Sequence, residues 1–416
     1  MSESHPRIAV VGGGIAGLTA AASLLRAGVP CTVYERATAF ADAGAGIQLA
    51  PNSVRLLHEL GLAAVLDRRA TRARAIETRR WDDGRLLART SLGEACESRH
   101  GAPYHLIQRA DLHRSLLELL PPGTVRHSSA CTSFEEHPDG VTLHFADGSA
   151  ERADAVVAAD GIHSGFRNAL VGDRPTFTGL TVYRGLVPAD RLPEFSAVPQ
   201  VYFWLGPGGH VTAYPITGHG LIHFSAVTTS PDWDPDTWSA PGTPEEVAAA
   251  FTGWNSEVGA LAAAAEEVHH WALFDRDCVG GWCTGRVALA GDAAHPMVPF
   301  LSQGANQAIE DAAVLAALLR DCDPDQVPAA LRRYEEVRLP RAAAVHRRSR
   351  ERGGEFHLPD GPEQRARDAA MPGAERLDAY AWLYGYEALP QGVRRWGGPG
   401  ADRKDIGGNK VGFRHT

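Results

Sequence analysis

The sequence predicts an α/β protein in which a parallel sheet with flanking helices is joined to a second domain built on an antiparallel sheet, followed by a C-terminal helical segment. Residues 7–36 read without interruption as an apolar strand, a glycine turn, an alanine-rich helix and a second strand, which is typical of a parallel sheet. From about 176 to 275 the chain alternates β-branched and aromatic residues between Gly and Pro, as antiparallel strands do. A chain of 416 residues is also too long for one compact core.

The glycine turn has the spacing GxGxxG at Gly12, Gly14 and Gly17. The first glycine permits a tight turn, the second lets backbone approach a pyrophosphate, and the third lets the helix pack closely on the sheet. The amino end of that helix offers unpaired N–H groups to an anion. The turn therefore predicts a bound dinucleotide, and a glycine-rich turn in another kind of α/β sheet is the alternative.

The acid Glu35 ends the second strand of this unit. Its carboxylate can accept the hydroxyls of an adenosine ribose and disfavours a 2′-phosphate, so the unit predicts FAD or NAD rather than NADP. Arg36, the next residue, is grouped with the candidate cofactor-binding residues. An ordinary solvated acid at the end of a strand is the alternative for Glu35.

The later elements follow from local patterns. A loop rich in Gly and Ala precedes a helix over 53–66, for which Asn52 or Ser53 is the expected N-cap. The turn signal DDG at 82–84 predicts a hairpin of two strands within 75–91. The remaining expectations are a helix over 109–120, short strands near 125–127, 141–145 and 155–158, an exposed loop over 231–244, helices over 245–265, 303–319 and 329–352 with a strand near 286 among them, and an irregular tail.

These patterns divide the chain into two domains and a tail. The dinucleotide-binding domain is discontinuous and comprises residues 1–75, 101–175 and 279–352. The second domain, expected to bind the substrate, comprises residues 76–100 and 176–278, and residues 353–416 form the C-terminal tail.

Two further motifs lie at predicted strand ends. One strand ends at Asp160, and another ends at Asp292, whose carboxylate is well placed to accept ribityl or ribose hydroxyls. A helix then begins after Gly304, where the amides of Gly304, Ala305 and Asn306 can donate hydrogen bonds. Such donors suit the side of a flavin that gains negative charge on reduction.

Composition and charge exclude several classes of function. A formal net charge of −9 argues against binding to nucleic acid, which would need a basic surface. No apolar run reaches the length of a membrane span and no signal-peptide pattern precedes the first strand, so we expect a cytoplasmic protein without a membrane partner. The six cysteines fit neither a disulfide framework nor a zinc pattern, and we expect reduced thiols and no metal site.

The three motifs in this order, with Arg109 opening a helix between the first and the second, resemble the group A flavoprotein monooxygenases. These are FAD-dependent aromatic hydroxylases with the p-hydroxybenzoate hydroxylase fold, and the resemblance covers Ile8 to about Arg352. It implies a bound FAD, NADH or NADPH as a transient co-substrate, and O2 that forms a flavin C4a-hydroperoxide. It also implies that Asp292 contacts the ribityl chain, that Asp160 serves FAD and the nicotinamide nucleotide, and that Arg109 contacts FAD.

Four strings narrow the resemblance to the group of salicylate hydroxylase, 6-hydroxynicotinate 3-monooxygenase and 3-hydroxybenzoate 6-hydroxylase: GAGIQLAPN, YRGLVP, HxxxY and WLYGYEA. The resemblance implies that His210 is a catalytic base near the substrate hydroxyl and that Tyr214 lines the same pocket. It also implies that Gln48 and Tyr104 line the substrate pocket, with Gln48 near the cofactor as well. Ordinary strand or polar core residues are the alternative for all four.

The resemblance implies hydroxylation of a salicylate-like or hydroxynicotinate-like acid, with decarboxylation as the leading reaction. Pro299 stands where 3-hydroxybenzoate 6-hydroxylases have a glutamine, which favours the decarboxylating enzymes and makes Pro299 a candidate substrate-pocket residue. One alternative is para-hydroxylation of a 3-hydroxybenzoate or anthranilate-type acid without decarboxylation. Another is an FAD oxidase or reductase that does not hydroxylate. We expect a small aromatic acid as the partner of a monomer or homodimer.

Overall fold

The structure, a computed structural model, describes residues 5–40, 45–234 and 237–389. The strands in these ranges are β1 Ile8–Val11, β2 Cys31–Tyr34, β3 Gly46–Leu49, β4 Thr71–Arg72, β5 Ala75–Arg80, β6 Leu86–Ser91, β7 His105–Gln108, β8 Val125–Arg126, β9 Cys131–His137, β10 Gly140–Phe145, β11 Ala150–Ala153, β12 Ala155–Ala158, β13 Thr176–Pro188, β14 Val201–Gly206, β15 Gly209–Ile216, β16 Leu221–Thr229, β17 Ser239–Gly242, β18 Glu267–Asp275 and β19 Val287–Leu289. The α-helices are α1 Ile15–Arg26, α2 Pro51–Glu59, α3 Ala63–Arg69, α4 Gly93–His100, α5 Arg109–Leu117, α6 Gly165–Leu170, α7 Pro193–Ala197, α8 Pro244–Ala250, α9 Ser256–Ala264, α10 Gly304–Leu319, α11 Val327–Phe356, α12 Pro362–Ala374 and α13 Ala381–Tyr384.

The predicted parallel sheet has five strands in the order β19-β12-β1-β2-β8. All four residues of β1 are buried, because strands and helices cover this central strand on every side. β1 pairs in parallel with β12, and β12 pairs in parallel with β19. The carboxyl ends of these three strands, which carry the glycine turn and the two aspartate motifs, therefore meet at one edge of the sheet.

The second domain contains the predicted antiparallel sheet, extended to eight strands in the order β17-β18-β13-β16-β15-β14-β5-β6. The hairpin of β5 and β6 joins this sheet through a parallel pairing of β5 with β14. One face of the sheet packs its apolar side chains on α8 and α9. Three-stranded sheets of order β11-β10-β9 and β3-β7-β4 complete the β-structure of the described residues.

One long helix, α11, connects the domains. α11 has 30 residues and is therefore roughly 45 Å long at the rise of an α-helix. In its first half, Arg338 is fully buried and binds Glu310 and Asp311 of α10 at 2.6 and 2.7 Å. After its last residue, the carbonyl of His357 accepts the Gly208 N–H at the β14–β15 turn. The helix thus spans from the parallel sheet to the antiparallel one.

Three local predictions were wrong around residues 46–66. The expected loop contains strand β3, which pairs with β7. The expected single helix is two helices, because Gly61 has a φ of +93° and ends the first one. Neither Asn52 nor Ser53 caps a helix: their side chains bind Glu310 and Asn306 of α10 instead, so tertiary contacts override the local capping signal.

The prediction also differs from the structure nearer the C-terminus. Part of the expected loop forms β17, which pairs with β18. The expected helix over 245–265 is split into α8 and α9, with Asn255 capping the second. The expected irregular tail contains α12 and α13, and its last residues, 390–416, lie outside the described ranges. Among the described helices, none combines the length and the apolar composition needed to cross a bilayer.

Candidate active site

A cavity of about 400 Å³ lies between the carboxyl ends of the parallel strands and the free face of the antiparallel sheet. Its lining combines residues from both domains, and many of them belong to the predicted motifs. Among the predicted site residues, those that line it are Gly14, Gln48, Arg109, His210, Tyr214, Asp292, Pro299, Gly304 and Ala305.

The glycine turn has the geometry that its predicted roles require. Gly12 has a φ of +104°, which favours glycine. A Cβ on Gly17 would lie 1.8 Å from the Gly12 carbonyl oxygen, so only glycine lets the helix approach the strand this closely. A Cβ on Gly14 would meet nothing within 4 Å, because this residue faces the cavity.

The acid Glu35 lies beside the turn and outside the cavity lining. Its Oε2 accepts the Gly13 N–H at 2.6 Å, and its Oε1 accepts the Ala37 N–H at 2.8 Å. Arg36 is exposed and does not line the cavity. A ribose hydroxyl would therefore have to share or replace the bond between Glu35 and the turn.

The carboxylate of Asp160 has a buried acceptor without a partner. Its Oδ2 accepts the Gly165 N–H at 2.9 Å, whereas Oδ1 is buried and has no hydrogen bond to any described residue. Burial raises the pKa of Asp160. Its chain neighbours Ala159 and Gly161 line the cavity, so a donor on a bound ligand would satisfy a group that is otherwise costly to bury.

The second aspartate motif meets the start of α10. The side chain of Asp292 faces the cavity and therefore has accessible surface. Protein surrounds it on the other sides, and this desolvation raises its pKa, whereas His295 and Arg109 lower it. The Gln307 N–H bonds to the Gln303 carbonyl, so the three preceding amides of α10 have no acceptor within the helix. These amides and the carboxylate lie on adjacent parts of the cavity wall.

Two predicted polar residues form hydrogen bonds within the wall of the cavity. The side chain of Asn306 accepts the Ala50 N–H at 2.8 Å and donates to the Gln48 carbonyl at 3.1 Å, so only its backbone amide is left for a ligand. The Gln48 Oε1 accepts the Tyr104 hydroxyl at 2.7 Å. Tyr104 itself is buried behind Gln48 and does not line the cavity, which fits the alternative of a satisfied polar core residue.

Two guanidinium groups that line the cavity form no ion pair with the residues that the structure describes. Neither Arg109 nor Arg184 makes a side-chain hydrogen bond or an ion pair within residues 5–40, 45–234 and 237–389, and both line the cavity. Burial lowers the pKa of Arg184, Tyr214 opposes this effect, and Arg109 adds to it. Two like charges that are partly withdrawn from water and share one cavity favour a ligand of opposite charge, so the cavity is suited to anionic ligands.

The residues of the antiparallel sheet that face the cavity form a grid. The strand register aligns Arg184 of β13 with Ser225 of β16 and Thr212 of β15. His210 and Tyr214 flank Thr212 at even spacing on β15, so all three side chains share one face. All five of these side chains line the cavity, and the sheet therefore presents a cation, two hydroxyls, an imidazole and a phenol to one space.

Backbone from the other domain approaches this grid closely. A Cβ on Gly46 would lie 2.7 Å from the Tyr214 hydroxyl, so a side chain there would displace the ring. The Gly46 N–H donates to the Nδ1 of His223 at 3.2 Å. Burial and the nearby Arg184 lower the pKa of His223 to about 3, which keeps this imidazole neutral and able to accept.

The predicted base His210 is buried among aromatic rings. Its ring centroid lies 5.3 Å from that of Phe300, the residue after Pro299. Its Nδ1 lies 2.8 Å from the Nε2 of His357, so one imidazole donates to the other. Burial and the neighbouring His357 hold the pKa of His210 well below its usual value, and a neutral imidazole can act as a base.

Sequence reasoning missed Arg184, His223 and His357. A signal for Arg184 was present, because it is the one charged residue in the otherwise apolar string LTVYRGLVP and lies two residues after Val182 on the same strand face. His223 lies on β16 two residues before Ser225, but such spacing does not identify a function. His357 follows the end of α11, where no local pattern indicates a partner on β15.

The comparisons with known proteins agree with this architecture. The profile of a family described as an FAD binding domain matches residues 6–349. A 3-amino-4-hydroxybenzoate 2-monooxygenase of Streptomyces platensis is 74% identical over 394 residues, which cover 95% of this chain and 99% of that protein. A 6-hydroxynicotinate 3-monooxygenase of Bordetella bronchiseptica is 37% identical over 347 residues, which cover 83% of this chain and 91% of that protein. A solved salicylate hydroxylase substrate complex superposes with a TM-score of 0.80 at 31% identity, covering 93% of this chain and 97% of that one.

The resemblance that the motifs predicted is thereby confirmed, as is the predicted fold class. Two members of the predicted group of hydroxylases are among these similar proteins, while an aminohydroxybenzoate enzyme was not among the expectations. The family match covers most of the chain and identifies FAD as the cofactor. The chain belongs to the FAD-dependent aromatic monooxygenases that act on hydroxylated aromatic acids.

Proposed function

We propose that the protein hydroxylates 3-amino-4-hydroxybenzoate or a closely similar acid next to its amino group and leaves the carboxylate in place. The observation that carries this proposal is the guanidinium of Arg184, which has no counter-ion in the part of the chain that the structure describes and shares the cavity with the neutral imidazole of His210. Arg184 would hold the carboxylate and His210 the ring hydroxyl. The 74% identity to a 3-amino-4-hydroxybenzoate 2-monooxygenase supports the choice of acid.

The residues of the cavity fit FAD. The glycine turn, the unpartnered Oδ1 of Asp160, the carboxylate of Asp292, the guanidinium of Arg109 and the free amides of α10 would hold it. These are acceptors for ribose and ribityl hydroxyls and donors for phosphate and flavin oxygens. When bound and reduced by NADH or NADPH, FAD supplies the electrophilic oxygen derived from O2.

The strand register favours an acid whose hydroxyl lies para to its carboxylate. Arg184 and His210 are separated by two strand spacings and two residues along the strands, which gives roughly 12 Å between their Cα atoms. A ring with para substituents can bridge two side chains that reach toward each other over this distance. In salicylate the two groups are adjacent, so that acid fits this separation less well. Both 3-amino-4-hydroxybenzoate and 6-hydroxynicotinate have the para arrangement.

The chain's residues would prepare the ring for attack. The neutral His210 would accept the proton of the hydroxyl and so raise the electron density of the ring. Position 2 is meta to that hydroxyl, so its activation comes mainly from the amino group: attack at position 2 places positive charge on the adjacent carbon that bears the nitrogen, which stabilises it. Arg184 would fix the ring by a charge-assisted bond, which determines the carbon that faces the reacting oxygen.

The second candidate is the decarboxylative hydroxylation that the sequence favoured. It is supported by the 37% identity to a 6-hydroxynicotinate 3-monooxygenase, whose substrate would span Arg184 and His210 equally well. In that reaction the oxygen would replace the carboxylate. Arg184 would then have to release its partner as carbon dioxide, whereas in the first reaction the ion pair is kept.

The test is product analysis with the FAD-loaded protein under labelled O2. We would supply NADH or NADPH with 3-amino-4-hydroxybenzoate, 6-hydroxynicotinate, 3-hydroxybenzoate or salicylate, and follow labelled product and released carbon dioxide. Labelled aminodihydroxybenzoate without carbon dioxide is the expected result. Labelled product with stoichiometric carbon dioxide from 6-hydroxynicotinate alone would favour the second candidate. Oxidation of NADH or NADPH with no labelled product from any acid would overturn both candidate functions.

A further inference from the structure

The contact between His210 and His357 connects two separate cavities. His210 lines the cavity described above, and its side chain is almost completely buried. His357 is only half-buried and lines a second, outer cavity of about 550 Å³ on the far side of the Phe300 ring. Between the two spaces the imidazoles meet at 2.8 Å.

We propose that His210 and His357 form a two-histidine path that carries the hydroxyl proton of the substrate from the inner cavity to the outer one. This inference rests on the proposed function, because it concerns the proton that His210 would accept. His357 acts through His210 and is therefore a positioning residue that also moves a proton. It does not contact the substrate.

The surroundings make it costly for His210 to keep the proton. The imidazole pair is enclosed by the rings of Phe203, Phe300 and Phe356, and no described carboxylate contacts either imidazole. The nearest cation, Arg352, lies over the Phe356 ring at 4.5 Å and disfavours a charged His210. Burial also lowers the pKa of His357 to about 4. A proton that reaches His210 is thus more stable in the outer cavity than on either ring.

The charged residues of the outer cavity leave the path open. Asp275 and Arg350 line that cavity and bind each other, and Asp275 also binds His346. Arg352 is neutralised by Glu375. None of these pairs includes His357, whose imidazole contacts only His210 and aromatic rings among the described residues. Water or buffer in the outer cavity can therefore take the proton from His357.

The transfer balances if both rings are neutral at the start. The O–H bond of the substrate breaks and an N–H bond forms at the Nε2 of His210. The N–H bond at the Nδ1 of His210 breaks and one forms at the Nε2 of His357, which loses the proton on its Nδ1 to a water or buffer base. No electrons are transferred, and the return of a proton along the same path when the product is released restores both tautomers.

The backbone holds this arrangement in place. The carbonyl of His357 accepts the Gly208 N–H at 3.1 Å, immediately before β15 on which His210 lies. Phe356, the last residue of α11, packs its ring 5.4 Å from the His210 ring. The strand and the helix end are therefore fixed to one another at the imidazole contact.

The experiment is stopped-flow mixing of the oxidised, FAD-loaded protein with 3-amino-4-hydroxybenzoate. Phenolate absorbance reports loss of the hydroxyl proton, and an indicator dye reports its release to solvent. His357→Ala should slow both signals at least tenfold, and imidazole that enters the vacated outer cavity should restore them in a saturable manner. Phe356→Leu is the matched control, because it loosens the packing of His210 without removing a nitrogen, so imidazole should not change its rates.

Each outcome separates the path from the proposed function. Wild-type rates in His357→Ala, or slow rates that imidazole leaves unchanged, would overturn the path. Absence of both signals in the wild-type protein would contradict the proposed function instead. If His357→Ala does not bind FAD, the same measurements are made on His357→Gln. Proton release should then be slow, and imidazole should not speed it, because the amide fills the imidazole site. Unchanged release would overturn the path.

Discussion

Replacing Arg184 with Gln should selectively weaken binding of the acid substrate. The guanidinium of Arg184 lines the cavity and has no counter-ion among the described residues, so the carboxylate of a bound acid would be its first ionic partner. The glutamine side chain keeps a hydrogen-bond donor but removes the charge. The comparison therefore isolates the ionic part of the interaction.

The expected change in Kd follows from the strength of a hydrogen bond to a charged group. A hydrogen bond to a charged group contributes about 1.5 to 3 kcal/mol, and a tenfold change in Kd corresponds to about 1.4 kcal/mol. Arg184→Gln should therefore raise the Kd of 3-amino-4-hydroxybenzoate roughly ten- to a hundredfold. The free energy of unfolding should not fall, because the substitution removes a half-buried charge that has no ionic partner among the described residues.

The assay is titration of the oxidised, FAD-loaded protein, followed through the flavin spectrum. The acid is compared with its neutral amide, 3-amino-4-hydroxybenzamide, which has the same ring without the charge. The wild-type protein should prefer the acid and Arg184→Gln should bind the two ligands nearly equally. Arg191→Gln, at an exposed ion pair on the same domain, is the control for the change in net charge. If Arg184→Gln keeps the wild-type preference for the acid, the carboxylate does not bind Arg184.

Three further predictions concern the cofactor, the core and pH. Gly17→Val should abolish FAD binding in a flavin titration, because its side chain would overlap the Gly12 carbonyl, and normal binding would contradict the assignment of the turn. Arg338→Met should lower the free energy of unfolding in urea by about 3 to 5 kcal/mol, since it removes the cation that two buried carboxylates share and leaves them only Arg341 and His295 as ionic partners; a loss below 1 kcal/mol would refute this. His105 is buried, and neither of its ring nitrogens has a hydrogen-bond partner among the described residues. Its pKa is lowered to about 4, so the unfolded chain binds the proton first and stability falls as pH drops from about 6.5 to about 4. His105→Phe should reduce that fall by about 3 kcal/mol in denaturant titrations, and an unchanged pH profile would refute it.

The sequence predicts those parts of the fold that depend on local patterns. The glycine turn could be predicted because its spacing reflects contacts between residues a few positions apart, as the position of Gly17 against the Gly12 carbonyl confirms. The predicted N-cap at Asn52 or Ser53 was wrong because both side chains bind residues of α10, more than 250 positions away. A capping signal in the sequence contains no information about such a competitor.

The same distinction applies to the candidate site. His210 and Tyr214 could be predicted only through a family resemblance, because even spacing on a strand is as common in ordinary sheets. A role for Arg184 is indicated only by the structure, in which the sheet register brings it to the cavity that Arg109 also lines. His357 could not be predicted, since its contact with His210 joins residues 147 positions apart across the end of a helix.

The separation of the two sheets has a consequence for how new substrate preferences arise. The candidate FAD contacts come from turns and helix starts at the edge of the parallel sheet, whereas the candidate substrate contacts come from one face of β13, β15 and β16. Side chains on a strand alternate between faces, so a replacement at a position such as Thr212 or Ser225 changes the surface that contacts the substrate ring. The candidate FAD contacts lie on other elements and are not replaced. Such a division lets one scaffold diversify by small steps without losing its chemistry. The range of aromatic acids named among the proteins similar to this chain is what that freedom would produce.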